Sequence, residues 1–204
     1  MSEGAPVACN PAHGERRLMS IGPIPPQTEI EIVDLESGET EMPLGERGEV
    51  RIKADTFTTS YRNRPEETAE TIRDGWLYTG DIAHMDSDGY FTIVDRKKDM
   101  VLVSGFNVYP NDVEEQIAAV PGVLEVGVVG VPDEKTGEAV RAFVVASAPA
   151  PSTESIVAHC REHLAAYKVP SQIIFVDELP KSPIGKILRR ELRDQAMAAP
   201  ASTK

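Results

Sequence analysis

The stretch GWLYTGDIAHMDSDGYFTIVDRKKDMVLVSGFNVYP, residues 75–110, contains two different patterns and therefore decides the fold prediction. Its first part holds short runs of strand-forming residues, with a hairpin predicted through Asp88-Gly89. After the charged run DRKKD, residues 95–99, an apolar strand and a turn lead into a helical pattern. We place a domain boundary at this run because a short charged segment between two patterns is typical of a solvated hinge.

The residues before this stretch make the first part of the chain β-rich. TEIEIVDLE alternates apolar and polar residues, SGE supplies a turn, and PLGERGEVRIKA predicts a second strand, all within residues 28–54. The acidic segment RPEETAETIRDG predicts a helical turn that ends at Gly75.

The residues after the charged run predict alternating strands and helices. Asn111 and Glu114 have the spacing of a helix N-cap and its partner for the helix DVEEQIAAV, which Pro121-Gly122 closes. Strands are predicted at 123–131, 140–147 and 173–176, and helices at 154–166 and from about 186. The chain is therefore predicted to be α+β, with a β-rich part at 1–97, an α+β domain at 98–195 and a disordered tail at 196–204.

Composition argues against several classes of protein. The 204 residues carry a formal net charge of −12, which argues against binding to nucleic acid or to an anionic membrane surface. The apolar runs are too short to span a bilayer, and the first residues lack the pattern of a signal peptide. Two cysteines, Cys9 and Cys160, fit a reducing compartment, so we expect a cytoplasmic protein with at most peripheral membrane contact.

Asp81 is a candidate ligand-binding carboxylate. It follows Gly80 at the end of a short apolar strand, where a carboxylate could accept two hydrogen bonds from a diol. The alternative is a turn aspartate that caps backbone N–H groups. The segment HCREH, with His159 and His163 one helical turn apart, suggests a metal site, but no other ligand cluster accompanies it and an amphipathic helix face is the better interpretation.

Lys186 is a candidate anion-binding residue. It follows Gly185 in a tight loop of LPKSPIGKILRREL, residues 179–192, where a lysine could reach an anion or could be an ordinary surface residue. The loop is not a Walker loop, because Pro180 and Ile187 stand where that motif requires glycine and Ser/Thr.

Three motifs occur together and in order: GWLYTGD at 75–81, DGYFTIVDRKKDMVLVSGFNVYP at 88–110 and LPKSPIGKILRREL at 179–192. In this combination the sequence resembles the adenylate-forming (AMP-binding) acyl-CoA synthetase family, and within it bacterial long-chain fatty-acid–CoA ligases. The resemblance covers nearly the whole chain. It implies that residues 1–97 are the β-rich last part of a truncated AMP-binding domain and that residues 98–195 are the small mobile C-terminal domain.

The resemblance implies an activity in two half-reactions. ATP and a fatty acid form an acyl-adenylate and pyrophosphate, and CoA then displaces AMP to give the thioester; Mg²⁺ is implied as a cofactor. The family's phosphate-binding loop and the large substrate-binding portion are absent from this chain. We therefore expect the chain alone to be inactive and an N-terminal half to be missing.

The resemblance assigns nucleotide-site roles to residues in three segments. Lys186 matches the lysine that bridges phosphate and carboxylate oxygens in adenylation, which offsets the repulsion between two anions. Asp81 and Arg96 match the residues that contact the ribose. Ser2 and Glu3 match the end of a Tyr-Gly-x-Thr-Glu motif, whose hydroxyl contacts the nucleotide phosphate and whose glutamate helps to hold Mg²⁺.

The resemblance also assigns two residues to the change between half-reactions. Lys98 matches the pivot about which the small domain rotates, and Gly105 lies in the strand segment VLVSGF, where a missing side chain leaves room for the pantetheine arm of CoA.

Two alternatives remain open. An aryl-acid–CoA ligase fragment would keep the enzyme class and change the acid, and only the acid pocket would distinguish it. A non-catalytic or split-enzyme module that binds CoA or a partner would instead depend on a separate chain for the front half.

Overall fold

The structure is a computed structural model that describes residues 2–4 and 7–198. It divides into two units, Met1–Lys98 and Asp99–Lys204, so the division lies within the charged run DRKKD. The mixture of helices and strands confirms the α+β class. Among the residues that are described, no helix is long and apolar enough to cross a membrane.

The first unit is built on an antiparallel sheet. Its strands are β1 (Glu29–Val33), β2 (Gly48–Lys53), β3 (Ile72–Arg73), β4 (Trp76–Met85) and β5 (Phe91–Arg96), and helix α1 (Pro65–Thr71) precedes β3. Strand β4 is central: it pairs with β2 along one edge, and with β3 and then β5 along the other. Seven buried residues form the core on this sheet: Ile30, Ile32, Val50, Ile52, Leu77, Ala83 and Phe91.

Two local predictions for this unit have different outcomes. The hairpin through Asp88-Gly89 is confirmed, and the Asp86 carboxylate stabilises its turn by accepting the backbone N–H groups of Asp88 and Tyr90. The helical segment predicted to end at Gly75 ends instead at Thr71, because the next two residues pair with β4 as the short strand β3.

The second unit contains a mixed sheet with helices on both faces. Its elements are β6 (Val101–Val103), β7 (Phe106–Val108), α2 (Pro110–Ala118), β8 (Val123–Asp133), β9 (Gly137–Ala146), α3 (Thr153–His163), β10 (Gln172–Phe175) and α4 (Arg189–Ala198). Strand β9 is antiparallel to β8 and parallel to β10, and β6 joins it through the pair Val103 and Gly137.

Burial of both faces explains the nearly continuous apolar run of β8. Val128 and Ala142 belong to the core that α2 and α3 cover, whereas Val129 and Phe143 belong to the core that α4 covers. A strand that is buried on both sides needs apolar residues at successive positions, and an alternating pattern would leave one face polar.

Helix α2 begins earlier than predicted, and its N-cap prediction is wrong. The N-cap is Tyr109 in an extended conformation, and Pro110 is the first helical residue. Proline suits this position because its fixed φ is helical and its missing N–H is not needed there. Asn111 lies inside the helix and accepts a hydrogen bond from Arg189 Nη2 at 2.6 Å.

The last helices also differ from the prediction at their ends. Helix α3 ends at His163 and a 3₁₀ turn follows at Ala166–Lys168, while α4 begins at Arg189 and leaves Lys186 in the preceding loop. The tail predicted from residue 196 begins inside α4, where Ala196 is buried. The rest of that prediction, residues 199–204, lies outside the described residues.

Candidate functional site

An open cleft of about 780 Å³ lies in the first unit beside the middle of β4. Gly80, Arg96 and Lys98 line it together with Tyr61, which lies just before α1. Two of the segments that carry predicted site residues, the one with Asp81 and the one with Arg96 and Lys98, therefore meet at or next to one cleft.

Asp81 and Arg96 form a cross-strand pair at this cleft. They are direct partners in the β4–β5 register, and Arg96 Nε donates to Asp81 Oδ1 at 2.9 Å. The side chains are 36% and 51% exposed, so both remain accessible to a ligand. The sequence suggested that Asp81 lies at the end of a strand, whereas it lies inside β4. Its carboxylate accepts a hydrogen bond from the guanidinium group of Arg96 and, in the described part of the chain, does not cap backbone N–H groups.

Glu49 is a buried carboxylate that the sequence analysis missed. Its Oε1 accepts a hydrogen bond from the backbone N–H of Gly80 at 3.2 Å, and its Oε2 accepts one from Lys97 Nζ at 2.8 Å. The Glu49 side chain is only 6% exposed. Glu49 therefore ties together the two segments that carry Asp81 and Arg96, and this gives Lys97 a structural role.

Tyr61 connects the beginning of the chain to the cleft. Its hydroxyl donates to Glu3 Oε1 at 3.1 Å, and Ser2 Oγ donates to Glu3 Oε2 at 3.3 Å. The backbone N–H of Thr58 donates to the Glu3 carbonyl oxygen at 2.8 Å. These bonds hold Glu3 close to a wall of the cleft, and the tyrosine that does so was not identified from the sequence.

Glu3 is held in its charged form. Burial raises the pKa of its carboxyl, but hydrogen bonds from its own backbone, Tyr61 and Ser2 outweigh burial and bring the pKa below its ordinary value. An ionised carboxylate is a ligand that Mg²⁺ accepts. Within residues 2–4 and 7–198 no group of three or more His, Cys, Asp or Glu side chains could hold a metal ion.

Lys98 is the last residue of the first unit. It is exposed, lies in the 3₁₀ turn Lys97–Asp99 and also lines the cleft. Its backbone is therefore located where the chain passes from one unit to the next.

Gly105 forms the turn of a hairpin in the second unit. The sequence predicted one strand and a turn, whereas β6 and β7 pair with each other around Ser104 and Gly105. Both turn residues have positive φ, 51° and 84°, as a two-residue hairpin turn of type I′ requires. A Cβ added to Gly105 would meet no atom within 4 Å, so the turn faces open space.

Lys186 is exposed near the tip of a small closed loop in the second unit. Lys181 and Ile187 form a β-bridge at its base, and Ser182 N–H donates to the Lys186 carbonyl oxygen at 2.8 Å. The Lys186 N–H in turn donates to Ser182 Oγ at 3.1 Å. The backbone of this lysine is thus fixed while its ammonium group is free to reach outward.

Comparison with known proteins identifies one domain of the chain and several similar ligases. A model of the AMP-binding enzyme C-terminal domain matches residues 112–186. The chain is 51% identical over 197 residues to the long-chain-fatty-acid–CoA ligase of Salmonella typhimurium. Residues 112–186 therefore belong to an AMP-binding enzyme C-terminal domain. The ligase match covers 96% of this chain and 35% of that ligase, so the chain spans about a third of the length of the curated relatives it matches.

Two further comparisons point to the same group of enzymes. The long-chain-fatty-acid–CoA ligase of Bacillus subtilis is 45% identical over 197 residues, which are 96% of this chain and 35% of the relative. The crystal structure of ATP-bound MatB from Rhodopseudomonas palustris matches with a TM-score of 0.89 at 36% identity, over 96% of this chain and 39% of that one.

Proposed function

We propose that this chain is the C-terminal part of a long-chain fatty-acid–CoA ligase. It would act with ATP, a fatty acid and CoA, through an acyl-adenylate. The observation that carries the proposal is the exposed cross-strand pair of Asp81 and Arg96 beside a cleft that Lys98 also lines, in a chain half identical to such ligases.

In the proposed first half-reaction, the protein must bring a carboxylate to an α-phosphate that is also negative. The Lys186 ammonium group would lie between these anions and stabilise the charge that develops as the bond forms. Asp81 would accept hydrogen bonds from the ribose hydroxyls, and Arg96 would contact the same sugar. Ser2 and Glu3 would stand at the phosphates; Mg²⁺ bound there would neutralise part of the phosphate charge.

In the proposed second half-reaction, CoA replaces AMP on the acyl group. Lys98 would be the pivot that moves the second unit, so that Lys186 withdraws and the hairpin around Gly105 approaches the acyl group. The glycine in this turn has no side chain and would let the backbone lie close to the narrow pantetheine arm. Such gating by a hinge is a common way to separate two steps at one site.

We also propose that the activity needs a partner segment equivalent to the first two-thirds of the relatives, because they are about three times as long as the matched region. That segment would supply the fatty-acid pocket and most contacts with ATP. We propose a cytoplasmic location for the assembled enzyme.

A chimeric ligase tests the proposal. The third of the Salmonella typhimurium ligase that matches this chain is replaced by residues 1–204, and fatty-acid-dependent ATP–pyrophosphate exchange is measured with palmitate. The chimera is expected to be active, and Lys186→Ala to lower the exchange rate roughly 100-fold or more, as loss of a charge-stabilising group does. Lys135→Ala, at another exposed lysine of the second unit, is the matched control and should have no effect. Full exchange activity in Lys186→Ala would refute the proposal.

A further inference from the structure

The loop that carries Lys186 is attached to neighbouring elements at both ends. Before the tip, Lys181 Nζ donates to Glu125 Oε1 of β8 at 2.5 Å. After the tip, Arg189 Nη2 donates to both carboxylate oxygens of Glu114, at 2.9 Å and 2.8 Å. The hydrogen bonds inside the loop fix its shape, while these two ion pairs, together with the packing of Leu179 and Ile187 in the core under α4, hold it against the rest of the unit.

Glu114 connects three elements at once. Glu114 lies on α2. Its carboxylate accepts hydrogen bonds from Arg189, the first residue of α4. Its Oε1 also accepts a hydrogen bond from the backbone N–H of Val128 in β8 at 2.8 Å. A carboxylate that accepts charged and backbone donors together has little freedom to move. Glu114 therefore fixes the start of α4, three residues after Lys186, relative to α2 and β8.

The two ion pairs differ in burial. The side chains of Glu114 and Arg189 are 16% and 19% exposed, whereas those of Glu125 and Lys181 are 38% and 39% exposed. Water and salt screen an exposed pair more strongly than a partly buried one. Glu114 should therefore contribute more to the position of the loop than Glu125.

We propose that Glu114, acting through Arg189, is a positioning residue for Lys186. It does not touch the reacting atoms; it holds the base of the loop so that the lysine tip lies where the phosphate and the carboxylate meet. The inference rests on the proposed role of Lys186 in adenylation. It adds that the lysine reaches its full rate only when this ion pair anchors its loop.

The first test is Glu114→Gln in the chimeric ligase. Glutamine keeps an oxygen for the Val128 N–H and removes the charge that holds Arg189. We expect kcat of palmitate-dependent ATP–pyrophosphate exchange to fall roughly 10- to 100-fold with KM for ATP unchanged, since misplacing a catalytic group by about 1 Å has effects of this order. Thioester formation from supplied palmitoyl-adenylate and CoA should keep its rate, because Lys186 is not needed there.

Control variants separate the ion pair from general effects of charge. Glu134→Gln, at an exposed glutamate of the same unit, should change neither half-reaction, and Glu125→Gln should cost at most about threefold. The double variant Glu114→Gln/Arg189→Gln should lose no more activity than the more impaired single variant, because coupled residues are not additive.

Hydrogen exchange on the 204-residue chain itself gives a readout independent of activity. In Glu114→Gln the amides at 182–188 should exchange faster, while those of β9 keep their protection. If exchange at 182–188 or the adenylation rate is unchanged while Lys186→Ala still abolishes adenylation, the positioning role is wrong and the proposed function stands. If both half-reactions fall equally, Glu114 is merely structural. If Lys186→Ala has no effect, the proposed function itself fails.

Discussion

Glu49 shows at the residue scale how this fold uses a buried charge. Its carboxylate is paired with Lys97 and with the Gly80 N–H, and its side chain is 6% exposed while that of Lys97 is 37% exposed. We expect Glu49→Ala to lower the free energy of unfolding of the first unit by about 1–3 kcal/mol, less than for a fully buried pair because water reaches the lysine.

Urea unfolding followed by tryptophan fluorescence measures this effect, because the one tryptophan of the chain, Trp76, lies in β4 of the first unit. Glu39→Ala, at an exposed glutamate of the same unit, should shift the unfolding midpoint little. Equal midpoints for the two variants would contradict the role given to Glu49.

The hydrogen bond between Tyr61 and Glu3 predicts a measurable pKa. The pKa of Glu3 lies below its ordinary value although burial raises it, because hydrogen bonds, including that of Tyr61, favour the carboxylate. We expect Tyr61→Phe to raise the pKa of Glu3, measured by carbon-13 NMR titration of the side-chain carboxyl. An unchanged pKa would show that Tyr61 does not hold Glu3.

The sign of the associated pH dependence follows from linkage. A carboxyl whose folded-state pKa is depressed stabilises the fold above its unfolded-state pKa, and this stabilisation is lost as the pH falls through the folded-state pKa. On acidification below the ordinary pKa of glutamate, the free energy of unfolding of the first unit should therefore fall more in the unsubstituted protein than in the Tyr61→Phe variant. Urea unfolding at a series of pH values measures this difference.

Sequence reasoning identified Asp81 and Arg96 because they lie in recognisable motifs, and the structure pairs them. It missed Glu49 and Tyr61 for a physical reason: their partners Lys97 and Glu3 are distant in sequence and meet them only after the chain folds. The residues next to Glu49 and Tyr61 in the sequence show no spacing or periodicity that would predict these contacts.

At the scale of elements, the approach of α4 to β8 depends on a glycine. A Cβ at Gly127 would lie 2.6 Å from Leu192 Cδ1, closer than two carbon atoms can pack. We expect Gly127→Ala to destabilise the second unit by about 1–3 kcal/mol, the usual cost of overpacking a core. Thermal unfolding followed by far-UV circular dichroism measures the change.

The control for this prediction relieves the clash. Leu192→Val removes the δ-methyl groups, so the double variant Gly127→Ala/Leu192→Val should lose less stability than the sum of the two single losses. Strictly additive losses would mean that the crowding between β8 and α4 is not the cause.

The sequence predicted the kind of each long element better than its ends. Asp88-Gly89 is a local turn signal, and its hairpin formed as expected. Asn111 also carried a local signal, for an N-cap, but Pro110 favours helical geometry one residue earlier, and Arg189 engages the Asn111 side chain instead. A contact made by α4 could not be foreseen from the residues around α2.

At the scale of the whole molecule, the proposed division of labour predicts that this chain alone does not activate fatty acids. Under the proposed function, the acid pocket and the phosphate-binding loop would be supplied by a segment equivalent to the rest of the relatives. Purified residues 1–204 should give no palmitate-dependent ATP–pyrophosphate exchange above a no-protein blank. Exchange that Lys186→Ala abolishes would contradict this prediction and would mean that the chain is a self-sufficient enzyme.

The hydrogen bond between Glu114 and the Val128 N–H also has a consequence for the edge of the second sheet. Among the described strands β8 pairs only with β9, so the backbone donors on its other edge need partners outside the sheet. The Val128 N–H is buried, and the Glu114 carboxylate accepts its hydrogen bond at 2.8 Å. The anchor of the lysine loop therefore also closes one position of this edge, where an unpaired buried N–H would cost stability.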